Sequence, residues 1–481
     1  MIGHVRIEAL SDEQNATLNE LLDQLNAKSR VNFLRSAYYE SKQTTQHMDI
    51  SIPPQFKRIE SVIGLPAKAV DKLEHRIDLD GFVVPGGSAS DFGLDRIWAV
   101  NKLSIEATMV HTSALKYGVA FLAVMDQGLS QPVVRALSPL NTTALWDPDR
   151  RRAKAAVTVV DRVGELASEL ILYLDDAVYT CRETQTGWKV ERAPHRLGRC
   201  PVAVLPFKPS VEEPFGRSRI SKAVMSITDR IVRTLLRTEV NAEFYISPQK
   251  SLLNGDPGMF TDNDGNPIPG WSAVLSKMLI VPPTELDDGT FATPSIHQSQ
   301  QMTMQPHMDM IRTDVALFSG ETGIPVNSLG IIHDNPASDA AMHTAYLDLD
   351  KDAERSHDTF GAGWVDAAQM AVMVRDGLSD LPAELELLQA KWRDPSTPTK
   401  AAAAQATVAL VTAGILPPDS EVVLEDLGYD QATIQRIVSD RRRSLAGSRL
   451  TSILQGVSGG DTGAGGAVPE GRAITGEVGI E

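Results

Sequence analysis

Seven prolines crowd one stretch of this 481-residue chain, at 248, 257, 267, 269, 282, 283 and 294, and a periodic helix stands on either side. Proline lacks the donor a helix needs and pushes the residue before it toward extended conformation, so 247–300 cannot continue either helix. Upstream, Ile220, Val224, Ile227, Ile231 and Leu235 recur at steps of four, three, four and four. That spacing lays one apolar stripe along a helix reaching about residue 244, with Ser218 placed to cap it. Downstream, Met308, Ile311, Val315 and Phe318 form a stripe over about 305–321, with Pro306 near the first turn. Two helices bracketing a compact insertion predict a hairpin-like stem carrying a small tip. Within the tip, 269–278 reads as a short helix and 279–281 as a strand.

The rest of the chain alternates between helical and strand blocks. Leu18, Leu21, Leu22 and Leu25 predict a helix over 14–42, with a break near residues 28–30 before Phe33, Leu34 and Tyr38. Pro53 and Pro54 end that run, and Phe56, Ile59, Ile63, Val70 and Leu73 mark a second helix over 56–76. A loop at 85–90 leads to a third, 91–117, which runs into a buried strand at 119–124. From 131 to 207 short strands alternate with turns such as Asp147-Pro148-Asp149, which predicts an antiparallel sheet inserted between helical blocks. This is an α+β arrangement. Beyond the hairpin, 323–334 is an irregular loop, after which Asn335 caps and Pro336 opens a long helix to about 375, relaxing at Gly361 and Gly363. A break at 392–398 precedes three short helices, 398–413, 419–427 and 430–445. The glycine-rich end has almost no apolar clusters and is expected to be disordered.

Charge and motifs narrow the function mainly by exclusion. The net charge of −16 argues against a protein that grips nucleic acid tightly, since such affinity comes from neutralising phosphates with Lys and Arg. It suits a surface past which DNA slides. No apolar run approaches the roughly 18 residues of a membrane span, and the first residues lack the basic-then-apolar layout of a secretory signal. Cys181 and Cys200 are two thiols expected to stay reduced, too few for a zinc cluster. There is no nucleotide-binding loop, and Asp262-Asn263-Asp264-Gly265 lacks the outer ligands of a calcium loop and reads as a turn. His333, His343 and His357 are spaced by ten and fourteen, which does not pair them on one helical face. Asp348, Asp350 and Asp352 diverge around a helix and read as a solvated face rather than a functional acidic ring. Met302, Met304, Met308 and Met310 read as packing core, and Arg441, Arg442 and Arg443 as a solvated helix end. No catalytic group, metal or cofactor is expected.

Segments in a fixed order carry a family resemblance. LNAKSRVNFLRSAYYESKQ, PQFKRIESVIGLPAKAVDKLEHRIDLDGF and SPLNTTALWDPDRRR come first, followed by GRSRISKAVMSITDRIVRTLLRTEVNAEFYISPQ. DGNPIPGW, ETGIPVNSLGIIHDNPASDAAMHTA and KWRDPSTPTKAAAAQATVALVTAGILP complete the series. Over about 15–447 the chain resembles the portal proteins (head-to-tail connectors) of tailed bacteriophages, of the siphophage type. The resemblance implies a wing over 1–217, a first stem helix over 218–246, a clip over 247–300 and a second stem helix over 301–322. A channel loop and long wing helix over 323–392, a crown over 393–447 and a disordered tail over 448–481 would follow. It further implies a homo-oligomeric ring, typically of twelve, at one capsid vertex, through which double-stranded DNA is packaged and ejected. The expected partners are the terminase large subunit, a head-tail adaptor and a scaffolding or major capsid protein, with no membrane involved. The protein would be made in the host cytoplasm and reside in the virion. Ser328, Leu329, Gly330, Ile331, Ile332, His333, Asp334 and Asn335 would form the loop facing the DNA. Twelve helices about 10 Å apart put their axes on a circle about 38 Å across, leaving a lumen of about 28 Å, wide enough for a duplex. Two other classes remain open: another virion component, such as a capsid or minor head protein, and an intracellular α+β enzyme.

Overall fold

Residues 2–10 run alongside the first helix, α1 (Asp12–Tyr39), pinned to it by asparagines. The amides of Ile2, Val5 and Ile7 donate to the side-chain oxygens of Asn26, Asn19 and Asn15 at 2.7, 3.0 and 2.9 Å. The same three side chains donate back to the carbonyls of Ile2, Val5 and Ile7. Three asparagines on one helix face thus imitate a neighbouring strand, satisfying backbone groups that burial would otherwise penalise. Ser11 caps α1 and Gln14 completes the capping box. The break expected near 28–30 does not occur. Lys28 and Arg30 are exposed helix formers, and no glycine or proline interrupts the turn.

The computed structural model describes residues 2–44, 61–85, 89–245, 250–255, 278–286, 288–298, 303–330, 339–396, 400–429, 433–434 and 436–444. Two compact units divide the chain, Met1–Pro395 and Ser396–Glu481. In the first, α2 spans Leu65–Glu74, shorter than expected because Pro66 sets its first turn and 61–64 are not helical. Residues 56–60 of that prediction lie outside the described residues. β1 (Leu79–Val83) follows, and then the single helix expected over 91–117 divides into α3 (Leu94–Asn101) and α4 (Leu103–Tyr117). The division falls at Lys102, whose φ of +51° leaves the helical region.

The strands continue with β2 (Val119–Met125), β3 (Val133–Leu137), β4 (Thr142–Asp147), β5 (Arg152–Val163) and β6 (Leu166–Tyr173). β7 (Ala177–Thr184), β8 (Gly187–Pro194) and β9 (Val202–Pro206) complete the block. β4 to β8 pair in order as an antiparallel meander, and β2 lies between β3 and β9 in a second sheet. Side chains alternate across the meander. Ala155, Val157, Val159, Leu170, Leu172, Tyr179 and Cys181 pack on α1 and the extended N-terminal segment. Ala156 and Tyr173 face Phe121, Val202 and Val204 of the second sheet. The middle of the meander is therefore covered on both sides, while its β5–β6 end stays open, with Val160, Val163 and Leu166 exposed.

α5 (Lys222–Tyr245) leads to a small sheet of β10 (Lys250–Leu253), β11 (Met278–Ile280) and β12 (Ser295–Gln298), in which β10 is central. The expected helix at 269–278 and the turn at 262–265 lie outside the described residues, apart from Met278, which belongs to β11. α6 (Gln305–Thr322) returns where the spacing of its stripe placed it. α7 (Asp339–Asp376) then runs unbroken for 38 residues, and β13 (Gln389–Trp392) pairs antiparallel with β1. Neither β1 nor β13 is anticipated by sequence pattern, and Trp392 ends a strand instead of opening a break.

Gly361 and Gly363 do not relax α7; they let it approach its neighbours. A Cβ on Gly363 would stand 2.6 Å from the carbonyl oxygen of Val204, and one on Gly361 would stand 3.3 Å from the Trp392 indole nitrogen. Beside them Trp364 is fully buried, its Nε1 donating to His111 Nε2 at 2.8 Å, while His111 stacks on Phe360.

In the second unit, α8 (Lys400–Thr412) and α9 (Glu421–Asp426) precede helical residues 433–434 and 436–444. Gly414 closes α8 at φ +73° and Ser420 caps α9. Arg441, Arg442 and Arg443 are exposed, with Arg441 pairing with Asp419 at 3.1 Å. Residues 448–481, Asn335 and Pro336 lie outside the described residues.

Candidate functional site

α5 and α6 form the antiparallel pair that the apolar spacing predicts. Val224 and Ile231 of one and Val315 and Phe318 of the other are buried, with Ile227, Leu235 and Ile311 packed at the margin; Ile220 is buried too but precedes the helix, which begins at Lys222. Three polar contacts fix the register. Arg230 pairs with Asp314, the Asn241 amide reaches His307 Nε2 at 2.7 Å, and Ser221 Oγ donates to Glu321 at 2.9 Å. Ser221 also accepts from the Val224 amide and so serves as the cap assigned to Ser218 by sequence. Ser218 is buried instead, donating to the Lys116 carbonyl at 2.7 Å.

One flank of this pair remains open to solvent. Met308, expected in the core, is 45% exposed, and Met310 and Leu317 are 49% and 51% exposed. Met310 and Leu317 share a groove of about 610 Å³ with Arg233 and Arg237 of α5. Neither arginine makes an ion pair or hydrogen bond among the described residues. Chain-wide acidity hides this local basic stripe, which follows from Arg230, Arg233 and Arg237 recurring at three and four along a helix.

Gly323, left-handed at φ +67°, ends α6 and turns the chain into the loop. Ile324 is buried, and Val326–Leu329 form a 3₁₀ turn. Of the expected channel-loop residues, Leu329 is buried in the core, Ser328 is hydrogen-bonded through Oγ to the Tyr346 hydroxyl, and Gly330 is exposed at φ +95°. Ile331, Ile332, His333, Asp334 and Asn335 lie outside the described residues.

Two arginines hold the ends of these elements, and sequence reasoning missed both. Arg219 is buried, donating to the Thr322 carbonyl at the end of α6 (2.6 Å), to Asp352 of α7 (3.2 Å) and to the Ala69 carbonyl of α2. Burial pulls its guanidinium below the ordinary arginine range, and Asp352 opposes that shift. Arg76 pairs with Asp350 and donates to the Pro395 carbonyl at 2.7 Å. Asp350 and Asp352 are therefore not a solvated face. They are the counter-charges of two withdrawn guanidinia, and only Asp348 points to solvent. The carboxyl of Asp350 is raised by burial, with Arg76 pulling it back. The signal available in the sequence was their two-residue spacing, but it does not say where the partners are.

His357 stacks on Trp392 with ring centres 4.6 Å apart, and burial lowers its pKa. His333 and the side chain of His343 lie outside the described residues. Among the described residues no three His, Cys, Asp or Glu side chains gather where they could hold a metal ion. No helix among them is long and apolar enough to cross a membrane.

Comparison with known proteins agrees with this architecture. The portal protein of Mycobacterium phage D29 is 28% identical over 410 residues, covering 82% of each chain. That of Mycobacterium phage L5 is 27% identical, covering 82% of this chain and 81% of the relative. Among solved structures, the neck of an empty gene transfer agent particle, solved with C6 symmetry, matches 82% of this chain and 93% of its own at 12% identity and a TM-score of 0.44. That likeness is too distant to bear on the assignment. The profile of the family described as "Phage portal protein, SPP1 Gp6-like" matches residues 18–421, most of the sequence, and the chain belongs to that family.

Proposed function

We propose that copies of this chain stand side by side in a ring, twelve in the arrangement the family resemblance implies, and that double-stranded DNA passes through it during packaging and ejection. The observation that carries this reading is the open flank of the α5–α6 pair. Met310 and Leu317 are exposed there beside two guanidinia that make no ion pair or hydrogen bond among the described residues, a combination that suits a neighbouring protein surface better than water. A neighbouring copy that covers this flank with a different face of its own closes into a ring if the rotation permits.

In this reading 1–217 is the wing, α5 and α6 are the stem, 247–300 the clip, and 393–447 the crown. The clip receives the terminase large subunit during packaging and a head-tail adaptor afterwards, and the wing meets a scaffolding or major capsid protein. The chain itself makes and breaks no bonds; ATP hydrolysis belongs to the motor. The segment beyond Gly330 faces the DNA, with Ser328 and Leu329 as its root. A net charge of −16 keeps the duplex from adhering.

Negative-stain microscopy of the purified protein should show rings with a central hole; compact monomers or small closed oligomers without a lumen would overturn the reading. Deleting residues 331–335 should leave rings intact while reducing packaged or retained DNA. Rings that keep full-length genomes normally after that deletion would remove the loop from DNA handling.

A further inference from the structure

The root of the loop after α6 is held by a line of contacts that begins where the chain leaves its first compact unit. Pro395 is the last residue of that unit, and its carbonyl accepts from Arg76 Nη1 at 2.7 Å. The same guanidinium pairs with Asp350 and lies 4.6 Å from the centre of the Tyr346 ring. Tyr346 and Asp350 are four apart on α7, so one arginine spans a single helical face. The Tyr346 hydroxyl is bonded to Ser328 in the 3₁₀ turn whose amides close on Pro325 and Asn327.

Arg76 is 15% exposed at its side chain, so its charge is met almost entirely by one carboxylate, one carbonyl and one ring face. Withdrawing the carbonyl of Pro395 removes one of the three, and the guanidinium must re-aim toward Asp350. That takes it off the Tyr346 ring and frees the hydroxyl from its fixed position over Ser328. Arg219 differs in this respect. Its partners, Ala69, Thr322 and Asp352, all lie well inside the first unit, and it anchors without reporting on residue 395.

We propose that Arg76 and Tyr346 are positioning residues that make the setting of Ser328, and with it the root of the DNA-facing loop, depend on where residue 395 is held. The inference deepens the portal reading above and rests on it for the role of the loop. It identifies a mechanical link between the segment entering the second unit and the root of that loop.

Hydrogen exchange of residues 326–330 in the full-length assembled protein tests the link. Tyr346→Phe keeps the ring under Arg76 and removes only the hydroxyl. It should accelerate exchange of this segment about fivefold, the change one ordinary hydrogen bond is worth. Arg76→Gln should do the same, with Arg76→Lys as the variant that keeps the charge but loses the fork if the glutamine form does not fold. The double variant should be no faster than either single, as expected for residues acting along one path. Arg182→Ala, which breaks a pair with Glu169 on the meander, should leave the segment unchanged. Unchanged exchange in Tyr346→Phe, multiplying effects in the double variant, or equal acceleration by Arg182→Ala would overturn the link. Phage carrying Tyr346→Phe separates the two readings. Accelerated exchange with normal DNA retention keeps the link and removes the loop from DNA handling.

Discussion

The β4–β8 meander and the α5–α6 pair belong to the same compact unit but differ in how far one chain completes them. The meander buries Val157, Leu170 and Leu172 against α1 on one side, and Ala156 and Tyr173 against the β2 sheet on the other. The pair buries a single seam and leaves Met310, Leu317, Arg233 and Arg237 facing outward. Both obey the same rule, that an apolar surface is stable when covered. For the meander the cover is encoded in the same chain. For the α5–α6 pair the described residues supply no such cover on the open flank, and the proposed ring supplies it from a neighbouring copy.

The contrast breaks most visibly at Trp364, which belongs to the completed core. Trp364→Ala should cost about 3–5 kcal/mol of single-chain stability through lost burial and the cavity left behind. Denaturant unfolding at low protein concentration measures it. A loss below about 1 kcal/mol, within the range of ordinary surface changes, would mean that α7 and its neighbours are not where stability resides.

Leu317→Asp makes the converse test on the open flank. Single-chain stability should change by no more than about 0.5 kcal/mol, because the side chain is already half in water. Assembly should fall by about tenfold or more, the effect of about 1.4 kcal/mol or more lost at each contact. Size-exclusion chromatography across a concentration series reads it. If rings form as before while the monomer is destabilised, the two regions have been assigned the wrong way round.

Sequence periodicity made the helices legible where a stripe had somewhere to go, as in α5, whose Val224 and Ile231 are buried as spaced. It failed where the deciding contact is distant. β1 and β13 pair across some three hundred residues, and a short strand flanked by helices carries no period of its own. Gly361 and Gly363 look like helix weakness until Trp392 and Val204 are seen against them. Asp350 and Asp352 looked like a charged face because Arg76 and Arg219, which neutralise them, are more than a hundred residues away. The channel loop is an expectation from resemblance, and geometry adds only that Ser328 is bonded to Tyr346 and that Leu329 is buried.

His111 gives a smaller effect with a definite sign. Burial pushes its pKa down to about 3, from the ordinary value of 6.5. Above pH 6.5 both folded and unfolded chains hold it neutral. As pH falls from 6.5 toward about 3, the unfolded chain takes up a proton that the folded one refuses, and stability declines. Glu74, raised to about 7 mainly by burial, works the other way between that value and 4.5, since the folded chain then binds its proton first. The wild-type slope mixes the two, so the difference from His111→Gln is the measurement. Below pH 6 the variant should lose stability less steeply; parallel curves would show that His111 is not held neutral by the fold.

The smallest effect tests whether the meander is closed on both faces, and the two cysteines report on one face each. Cys181 packs among Leu170, Leu172 and the leucines of α1, and Cys200 among Phe121, Tyr173 and Val202. Both are free thiols pushed up to about 12 by burial, so neither supplies thiolate near neutrality nor admits a reagent. Iodoacetamide at pH 8 should leave both unmodified in the native protein and alkylate both in denaturant. Selective labelling carries more information than uniform resistance. Modification of Cys181 alone would mean that α1 and its asparagine-pinned segment lift from the sheet, and modification of Cys200 alone that the two sheets part. Either result would show that face of the meander to be an open surface, as the flank of the α5–α6 pair is.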